Sequence, residues 1–99
     1  MRRIVILGAT GSIGTTCLNY LRTHFDQFKV VGLTAHSNKE KLLKLSKEFS
    51  APSLMLEDIR KSNLKEFLRS TNPDIVLNAI AGSDGLYATV VAIEEGIDI

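Results

Sequence analysis

A glycine-rich loop near the start of the chain constrains the fold more than any other feature. Ile4–Leu7 is a continuous apolar run of the kind found in strands that are buried on both faces. Gly8, Gly11 and Gly14 follow in the pattern G-x-x-G-x-x-G, and apolar residues then recur at helical spacing, which predicts a helix over 12–24. A strand, a tight turn and a closely packed helix are the beginning of a parallel α/β architecture.

The three glycines have different physical roles in such a loop. Gly8 lets the chain leave the strand in a tight turn, Gly11 lets a pyrophosphate approach the backbone, and Gly14 lets the helix lie close to the sheet. Thr10 and Ser12 supply hydroxyl groups and amide donors, and the helix N-terminus adds unsatisfied N–H groups with a partial positive charge. The loop therefore predicts a dinucleotide-binding site, with a ligand-free tight turn as the alternative.

The rest of the chain alternates short apolar runs with amphipathic segments. The predicted strands are Val30–Leu33, Ser53–Leu56 and Ile75–Leu77, with the beginning of a fifth at Ile97–Ile99. Three further helices are predicted, starting after Asn38, after Ser62 and at Ser83 or Asp84, the last running through Glu95. This order predicts a Rossmann-like, doubly wound parallel sheet that is truncated in its fifth strand.

Composition excludes several classes of protein. The chain has 99 residues, a formal net charge of +1 and 44% hydrophobic residues, which is not the composition of a disordered chain. Near-neutral charge gives no reason to expect nucleic acid as a partner. No apolar run approaches the roughly 18 residues of a membrane span, and the four-residue run at Ile4–Leu7 is too short for a signal peptide. The single cysteine cannot form an internal disulfide, which favours a reducing compartment. The lack of a signal peptide fits a cytoplasmic protein, or a mature chain whose presequence has been removed.

The residues after the second predicted strand bear on the choice of cofactor. Proteins that bind NAD usually place an acid there to hold the ribose hydroxyls, but this chain has His36, Ser37 and Asn38 and no acid before Glu40. These side chains can donate hydrogen bonds to a 2′-phosphate, which an acid would repel, and Lys39 adds charge nearby. We therefore expect NADPH in preference to NADH, although His36 as a plain loop residue and Lys39 on a solvated face remain alternatives.

Small residues follow the fourth predicted strand, in the segment Asn78-Ala79-Ile80-Ala81-Gly82. Ligands of open α/β sheets bind beyond the carboxyl ends of strands, so a nicotinamide ring is expected here, with simple close packing as the alternative. No cluster of His, Cys, Asp or Glu has metal-ligand spacing, and no catalytic acid–base pair stands out.

In order along the chain, the stretches Gly8–Gly14, Ala35–Asn38, Asn78–Leu86 and Ala92–Gly96 resemble the N-terminal NADPH-binding domain of 1-deoxy-D-xylulose 5-phosphate reductoisomerases. The resemblance implies a domain spanning residues 1–99 of an enzyme that converts 1-deoxy-D-xylulose 5-phosphate to 2-C-methyl-D-erythritol 4-phosphate in non-mevalonate isoprenoid biosynthesis. It also implies NADPH as reductant, Mg²⁺ or Mn²⁺ bound to the substrate oxygens, and a homodimer.

The same resemblance assigns three groups of residues to the cofactor. They are Thr10, Gly11, Ser12 and Ile13 for the cofactor phosphates, His36, Ser37 and Asn38 for the adenosine 2′-phosphate, and Ala79 and Ile80 for the nicotinamide side.

The chain also departs from the family pattern. Many members have Gly-Lys-Asn in place of His36-Ser37-Asn38, and the stretch between Phe49 and Asp74 is shorter than usual. In the family the strand that begins near Ile97 continues into an Ala-Asn-Lys-Glu segment, followed by the metal carboxylates, a lid and the substrate-phosphate site. These parts are not in the 99 residues, which are therefore expected to bind cofactor without catalysing the reaction.

Two other functions remain open at this level. An extended short-chain dehydrogenase or epimerase also uses a Gly-Ala-Thr-Gly-x-Ile-Gly loop, but it needs a Tyr-x-x-x-Lys motif, and Tyr87 has no lysine four residues later. A non-catalytic domain that senses NADP(H) would need only the cofactor site.

Overall fold

The computed structural model describes all residues, 1–99, and contains four strands and four helices. The strands are β1 (Arg2–Leu7), β2 (Phe28–Ala35), β3 (Ser53–Met55) and β4 (Ile75–Asn78). The helices are α1 (Ser12–Thr23), α2 (Lys39–Phe49), α3 (Leu64–Thr71) and α4 (Gly82–Glu94), and a single 3₁₀ turn (Ile59–Lys61) precedes α3.

The strands form one parallel sheet in the order β3-β2-β1-β4. Successive side chains of β1 point to opposite faces of the sheet. Ile4 and Ile6 pack into one apolar cluster with residues of α1 and α2, whereas Val5 and Leu7 pack into a second cluster with residues of α3 and α4. Helices therefore cover both faces, and the predicted doubly wound sheet is confirmed.

The end of the chain forms less of a fifth strand than the apolar pattern predicts. The predicted beginning of a strand at Ile97–Ile99 is a single parallel bridge between Asp98 and Ile75, in which the Val76 amide donates to the Asp98 carbonyl at 2.7 Å. The bridge places the segment beside β4, the position that the doubly wound order predicts for a fifth strand.

The predicted start of the third helix is wrong by one residue. Asn63, not Ser62, precedes α3, because the 3₁₀ turn occupies the residues before it. The Asp58 carboxylate accepts a hydrogen bond from the Arg60 amide at 3.1 Å, and the Ser62 hydroxyl closes the turn by donating to the Ile59 carbonyl at 2.7 Å. Asp58 therefore caps the 3₁₀ turn with its side chain, four residues before the predicted cap at Ser62.

The fourth helix begins at Gly82, with Ala81 in extended conformation before it, so Ser83 and Asp84 lie inside its first turn and do not cap it. The apolar spacing predicts Ile13 and Phe25 on the buried side of the first helix and Leu43 on that of the second, but all three side chains are exposed. Ile13 lies in the first turn of α1, Phe25 lies just after its end, and Leu43 lies on the outer side of α2. No helix is both long enough and apolar enough to cross a lipid bilayer.

Candidate functional site

A crevice of about 400 Å³ opens at the carboxyl ends of β1, β2 and β4. Its volume is within the usual range for small-molecule sites, which is roughly 300–1,000 Å³. It lies where the strand order reverses, because β2 and β4 flank β1 on opposite sides, and this is where open α/β sheets bind their ligands. The lining residues are Gly8, Thr10, Gly11, Thr34, Ala35, His36, Ser37, Asn38, Leu56, Ile59, Ala79, Ile80, Ala81 and Asp84.

The glycine loop is fixed to the end of β2. Gly8 has a φ of 79°, in the left-handed region that favours glycine. Its amide donates to Thr34 Oγ1 at 3.1 Å, and the next amide, that of Ala9, donates to the Thr34 carbonyl at 2.8 Å. Thr34 is fully buried, so the residue that fixes the turn after β1 is shielded from water.

The helix that follows lies very close to this turn. A Cβ added to Gly14 would lie 2.2 Å from the Gly8 carbonyl oxygen, and one added to Gly8 would lie 3.1 Å from the Ala79 carbonyl oxygen. Glycine at position 14 therefore permits the close approach of α1, and glycine at position 8 permits the approach of the segment after β4.

The N-terminus of α1 presents amide donors that the protein does not use. Gly11 precedes the helix in extended conformation without a side-chain cap, and the amides of Ser12, Ile13 and Gly14 donate to no acceptor in the chain. A Cβ on Gly11 would meet only the Gly8 carbonyl oxygen, at 3.7 Å. The space beside this residue is therefore open, and free N–H groups of a helix N-terminus border it, as in anion-binding sites.

The residues after β2 form a second wall of the crevice. His36, Ser37 and Asn38 are exposed to it. Asn38 Oδ1 accepts a hydrogen bond from the Lys41 amide at 3.1 Å, so this side chain caps α2, as predicted. Because the oxygen is used in this way, the Asn38 amide nitrogen is the part of the side chain that remains free to donate.

The third wall is the turn after β4, and Asn78 organises it. Asn78 Nδ2 donates to the Gly85 carbonyl and to Thr89 Oγ1, both at 2.8 Å, and Asn78 Oδ1 accepts from the Ile80 amide at 3.1 Å. A Cβ on Gly85 would lie 1.9 Å from the Ile80 carbonyl oxygen. The turn and the first half of α4 are therefore held together by one side chain and by contact with a glycine.

Most of the residues predicted for the cofactor meet in this one crevice. Gly8, Thr10, Gly11, His36, Ser37, Asn38, Ala79 and Ile80 line it. Ser12, Ile13 and Gly14 do not: the Ser12 and Ile13 side chains border a shallow surface depression on the outer side of α1, and Gly14 is buried beneath the loop. Any contact of these three residues with a ligand in the crevice would therefore involve their free amides.

Sequence reasoning missed several residues of the site. Leu56 and Ile59 supply an apolar wall, and of these two the sequence pattern marks only Leu56, as the last residue of the predicted strand Ser53–Leu56. Thr34 left no signal, because its partners lie 25 and 26 residues away in the sequence, and the segment that contains Asn78 was noted only for its small residues. Asp84 is the one acidic residue of the lining.

Lys41 also corrects a prediction. The sequence pattern of the second helix predicts Lys39, Lys41, Lys44 and Lys47 largely in water. In the structure Lys41 Nζ instead donates to the Thr10 carbonyl at 3.3 Å and to Thr15 Oγ1 at 3.1 Å. An ammonium group therefore lies behind the glycine loop.

The two shortest ion pairs of the protein lie away from the crevice. Arg22 binds Glu48 through two hydrogen bonds, of 2.6 and 2.9 Å, and the first of these contacts holds the pKa of Glu48 below its ordinary value. Arg69 lowers the pKa of Glu95 in the same way. None of these four residues lines the crevice.

The side chains of this chain do not form a metal site, because no three His, Cys, Asp or Glu residues are grouped closely enough to hold a metal ion. We therefore assign no metal-dependent step to these residues.

Comparison with known proteins agrees with the geometry. The sequence model of the family described as 1-deoxy-D-xylulose 5-phosphate reductoisomerase matches residues 4–68 and 58–99. The chain belongs to this family. Among the curated relatives, the reductoisomerase of Thermoanaerobacter pseudethanolicus is 36% identical over 116 positions, covering 100% of this chain and 30% of the relative. That of Leifsonia xyli is 41% identical and covers 97% of this chain and 26% of the relative. The chain therefore spans less than a third of the length of these reductoisomerases.

Solved structures of the family share the fold. The Zymomonas mobilis reductoisomerase in complex with NADPH superposes with a TM-score of 0.75 at 30% identity, covering 97% of this chain and 30% of that one. A reductoisomerase solved with NADPH, fosmidomycin and magnesium gives a TM-score of 0.82 at 28% identity, covering 98% and 29%. A Rex-family repressor gives 0.70 at 20% identity, covering 98% and 42%, and this likeness concerns the fold alone.

Proposed function

We propose that residues 1–99 form the NADPH-binding domain of a 1-deoxy-D-xylulose 5-phosphate reductoisomerase. The observation that carries the proposal is the single crevice in which the glycine loop, the end of β2 and the turn after β4 meet at the switch point of the sheet. Membership of the family and the NADPH complexes of two structural relatives support the choice of cofactor.

The pyrophosphate of NADPH would lie at the N-terminus of α1. Thr10 and Gly11 line this part of the crevice, and Ser12, Ile13 and Gly14 contribute their free amides rather than their side chains. These donors suit an anion, because the free amides lie at the N-terminus of α1, which is the positive end of the helix dipole. Gly8 and Gly14 then serve as spacers that bring strand, loop and helix close together.

The adenosine 2′-phosphate would lie against His36, Ser37 and Asn38. Ser37 and the free amide nitrogen of Asn38 supply neutral donors. Glu40 does not line the crevice, and its carboxylate is 3.8 Å from the Lys44 ammonium group. The absence of a carboxylate from this wall favours NADPH over NADH, because a carboxylate would repel the 2′-phosphate.

The nicotinamide would lie along Ala79 and Ile80. Ile80 Cγ1 is 3.3 Å from the position of a Cβ on Gly8, so this turn borders the glycine loop. Bound NADPH supplies the hydride of the reduction, and the residues of this chain hold the ring and exclude water from one side of it with apolar groups.

The proposal for the parent enzyme extends beyond these residues. It includes 1-deoxy-D-xylulose 5-phosphate as substrate, Mg²⁺ or Mn²⁺ bound by other parts of the enzyme, homodimeric assembly and a cytoplasmic location. The resemblance of the sequence to the family supports these points, and the free thiol of Cys17 is compatible with a reducing compartment. We expect the 99 residues to bind NADPH without turning over the sugar phosphate.

Calorimetric titration of the purified protein with NADPH and with NADH, together with its melting temperature in the presence of each dinucleotide, tests the proposal. We expect both dinucleotides to raise the melting temperature, and NADPH to bind more tightly. Gly11→Val should abolish binding, because its side chain would fill the pyrophosphate position while meeting only one protein atom near its Cβ.

Lys47→Met, on the exposed side of α2, is the matched control and should bind like the wild type. No change in melting temperature at millimolar NADPH would contradict the proposal.

A further inference from the structure

Lys41 connects α2 to the glycine loop. Its ammonium group donates to the Thr10 carbonyl at 3.3 Å and to Thr15 Oγ1 at 3.1 Å, while its own backbone amide donates to Asn38 Oδ1 at 3.1 Å. One residue therefore contacts the loop, the first turns of α1 and the cap of α2. Thr10 and Asn38 both line the crevice, so Lys41 links its two polar walls from behind.

The charge of Lys41 has no acidic partner. The five ion pairs of the protein do not include it, whereas Lys44, one turn further along α2, pairs with Glu40. Lys41 is half-buried, and Lys39, Lys44 and Lys47 of the same helix are exposed. Withdrawing an ammonium group from water without a carboxylate is unfavourable unless other interactions compensate. An anion bound at the loop would supply such an interaction.

The position of the ammonium group also suits the loop. It is bound to the carbonyl of Thr10, so a donor of the protein occupies that oxygen, and it is bound to a side chain of α1, which fixes the helix relative to the loop. The three neighbouring residues His36, Ser37 and Asn38 have no permanently charged side chain. Lys41 is thus the fixed positive charge with an observed contact to the glycine loop.

We propose that Lys41 is a positioning residue of the cofactor-phosphate site, which holds the glycine loop in its anion-binding conformation and adds positive charge behind it. This inference rests on the proposed binding of NADPH. Because the pyrophosphate is common to NADPH and NADH, the contribution of Lys41 extends to both dinucleotides.

Calorimetric titration of Lys41→Met and Lys41→Arg with NADPH and with NADH tests the inference. Lys41→Met should weaken both by a similar factor of about ten, the order expected for loss of a charge-assisted interaction. Lys41→Arg should restore most of the affinity, since it keeps the charge and the donors. Lys47→Met is the matched control on the same helix and should leave both affinities unchanged.

Two further measurements separate positioning from a general effect on folding. The melting temperature of the ligand-free variant reports the fold, and the dependence of NADPH affinity on salt concentration reports the charge. We expect Lys41→Met to reduce the salt dependence, which a purely structural defect would not do. If Lys41→Met folds poorly, Thr15→Val removes one acceptor of the ammonium group and should produce a smaller loss for both dinucleotides.

The outcomes also distinguish this inference from the proposed function. Failure of the wild type to bind NADPH would refute the proposed function. Binding by the wild type together with unchanged affinity in Lys41→Met would refute only the role of Lys41. A loss confined to NADPH would also overturn it, because the ammonium group would then act at the 2′-phosphate rather than on the loop.

Discussion

The carbonyl oxygen of Gly8 lies 2.2 Å from the position that a Cβ would occupy on Gly14. The contact joins the turn after β1 to the first turn of α1, and the atom that would clash belongs to the backbone. It cannot be relieved by rotating a side chain. Gly11, three residues earlier, is different, because its Cβ would find only one protein atom within 4 Å, at 3.7 Å.

This difference predicts that two alanine substitutions affect different properties, one the stability of the fold and the other the binding of NADPH. Gly14→Ala should lower the free energy of unfolding by about 3 kcal/mol or prevent folding, because α1 must move away from the loop. Gly11→Ala should leave the free energy of unfolding nearly unchanged and weaken NADPH, since its methyl group points into open space at the ligand. Urea unfolding and calorimetry on both variants provide the comparison, and equal stability of the two would contradict the packing argument.

Thr34 gives a second prediction, at the anchor of the loop. Thr34→Val keeps the shape of the side chain but removes the Oγ1 that accepts from the Gly8 amide at 3.1 Å. Leaving a shielded amide without an acceptor costs about 1–3 kcal/mol, so we expect a loss of that size in urea unfolding and weaker NADPH binding. Thr34→Ser keeps the hydroxyl and should be much milder. A loss in Thr34→Val no larger than that in Thr34→Ser would contradict the role of the hydrogen bond, because only Thr34→Ser keeps the acceptor.

Sequence reasoning recovered the features that depend on local patterns. The apolar runs marked all four strands, and the order of elements indicated the doubly wound sheet, because parallel crossovers leave few other topologies. The capping role of Asn38 was also predicted, since its partner is only three residues away. The spacing of the glycines by itself indicates a phosphate loop.

The remaining features depend on where distant segments meet. Lys41 belongs to a helix rich in lysine, and only its position opposite Thr15 distinguishes it from its neighbours. Asn78 looked like one polar residue among small ones, although it bonds to positions seven and eleven residues further along. Ser62 is as good a capping residue as Asn63, and the preceding 3₁₀ turn decided between them.

Asn78 carries a third prediction, on the nicotinamide side of the site. Asn78→Asp replaces the Nδ2 that donates to the Gly85 carbonyl with an oxygen that repels it, so the turn through Ala79 and Ile80 should loosen. We expect the affinity for NADPH to fall by more than that for 2′,5′-ADP, which has the 2′-phosphate but no nicotinamide.

Calorimetric titration with both ligands measures this difference. Asn63→Asp, at an exposed cap of α3 without a side-chain hydrogen bond, is the matched control for the added charge. Equal losses for the two ligands would place the effect of Asn78 outside the nicotinamide side.

The ion pair between Arg22 and Glu48 gives a prediction for pH. The hydrogen bonds from the guanidinium hold the pKa of Glu48 below its ordinary value, so the pair stabilises the fold above the pKa of the unfolded state and this contribution disappears as the pH falls through the lower, folded value. Because both side chains are partly exposed, the effect should be no more than about 1 kcal/mol at pH 7 and weaker in high salt.

Glu48→Gln should therefore be less stable than the wild type at pH 7, and this difference in the free energy of unfolding should shrink in acid. Urea unfolding between pH 3 and 7, with the exposed and unpaired Glu57→Gln as control, measures it, and a difference independent of pH would show that packing rather than charge is responsible.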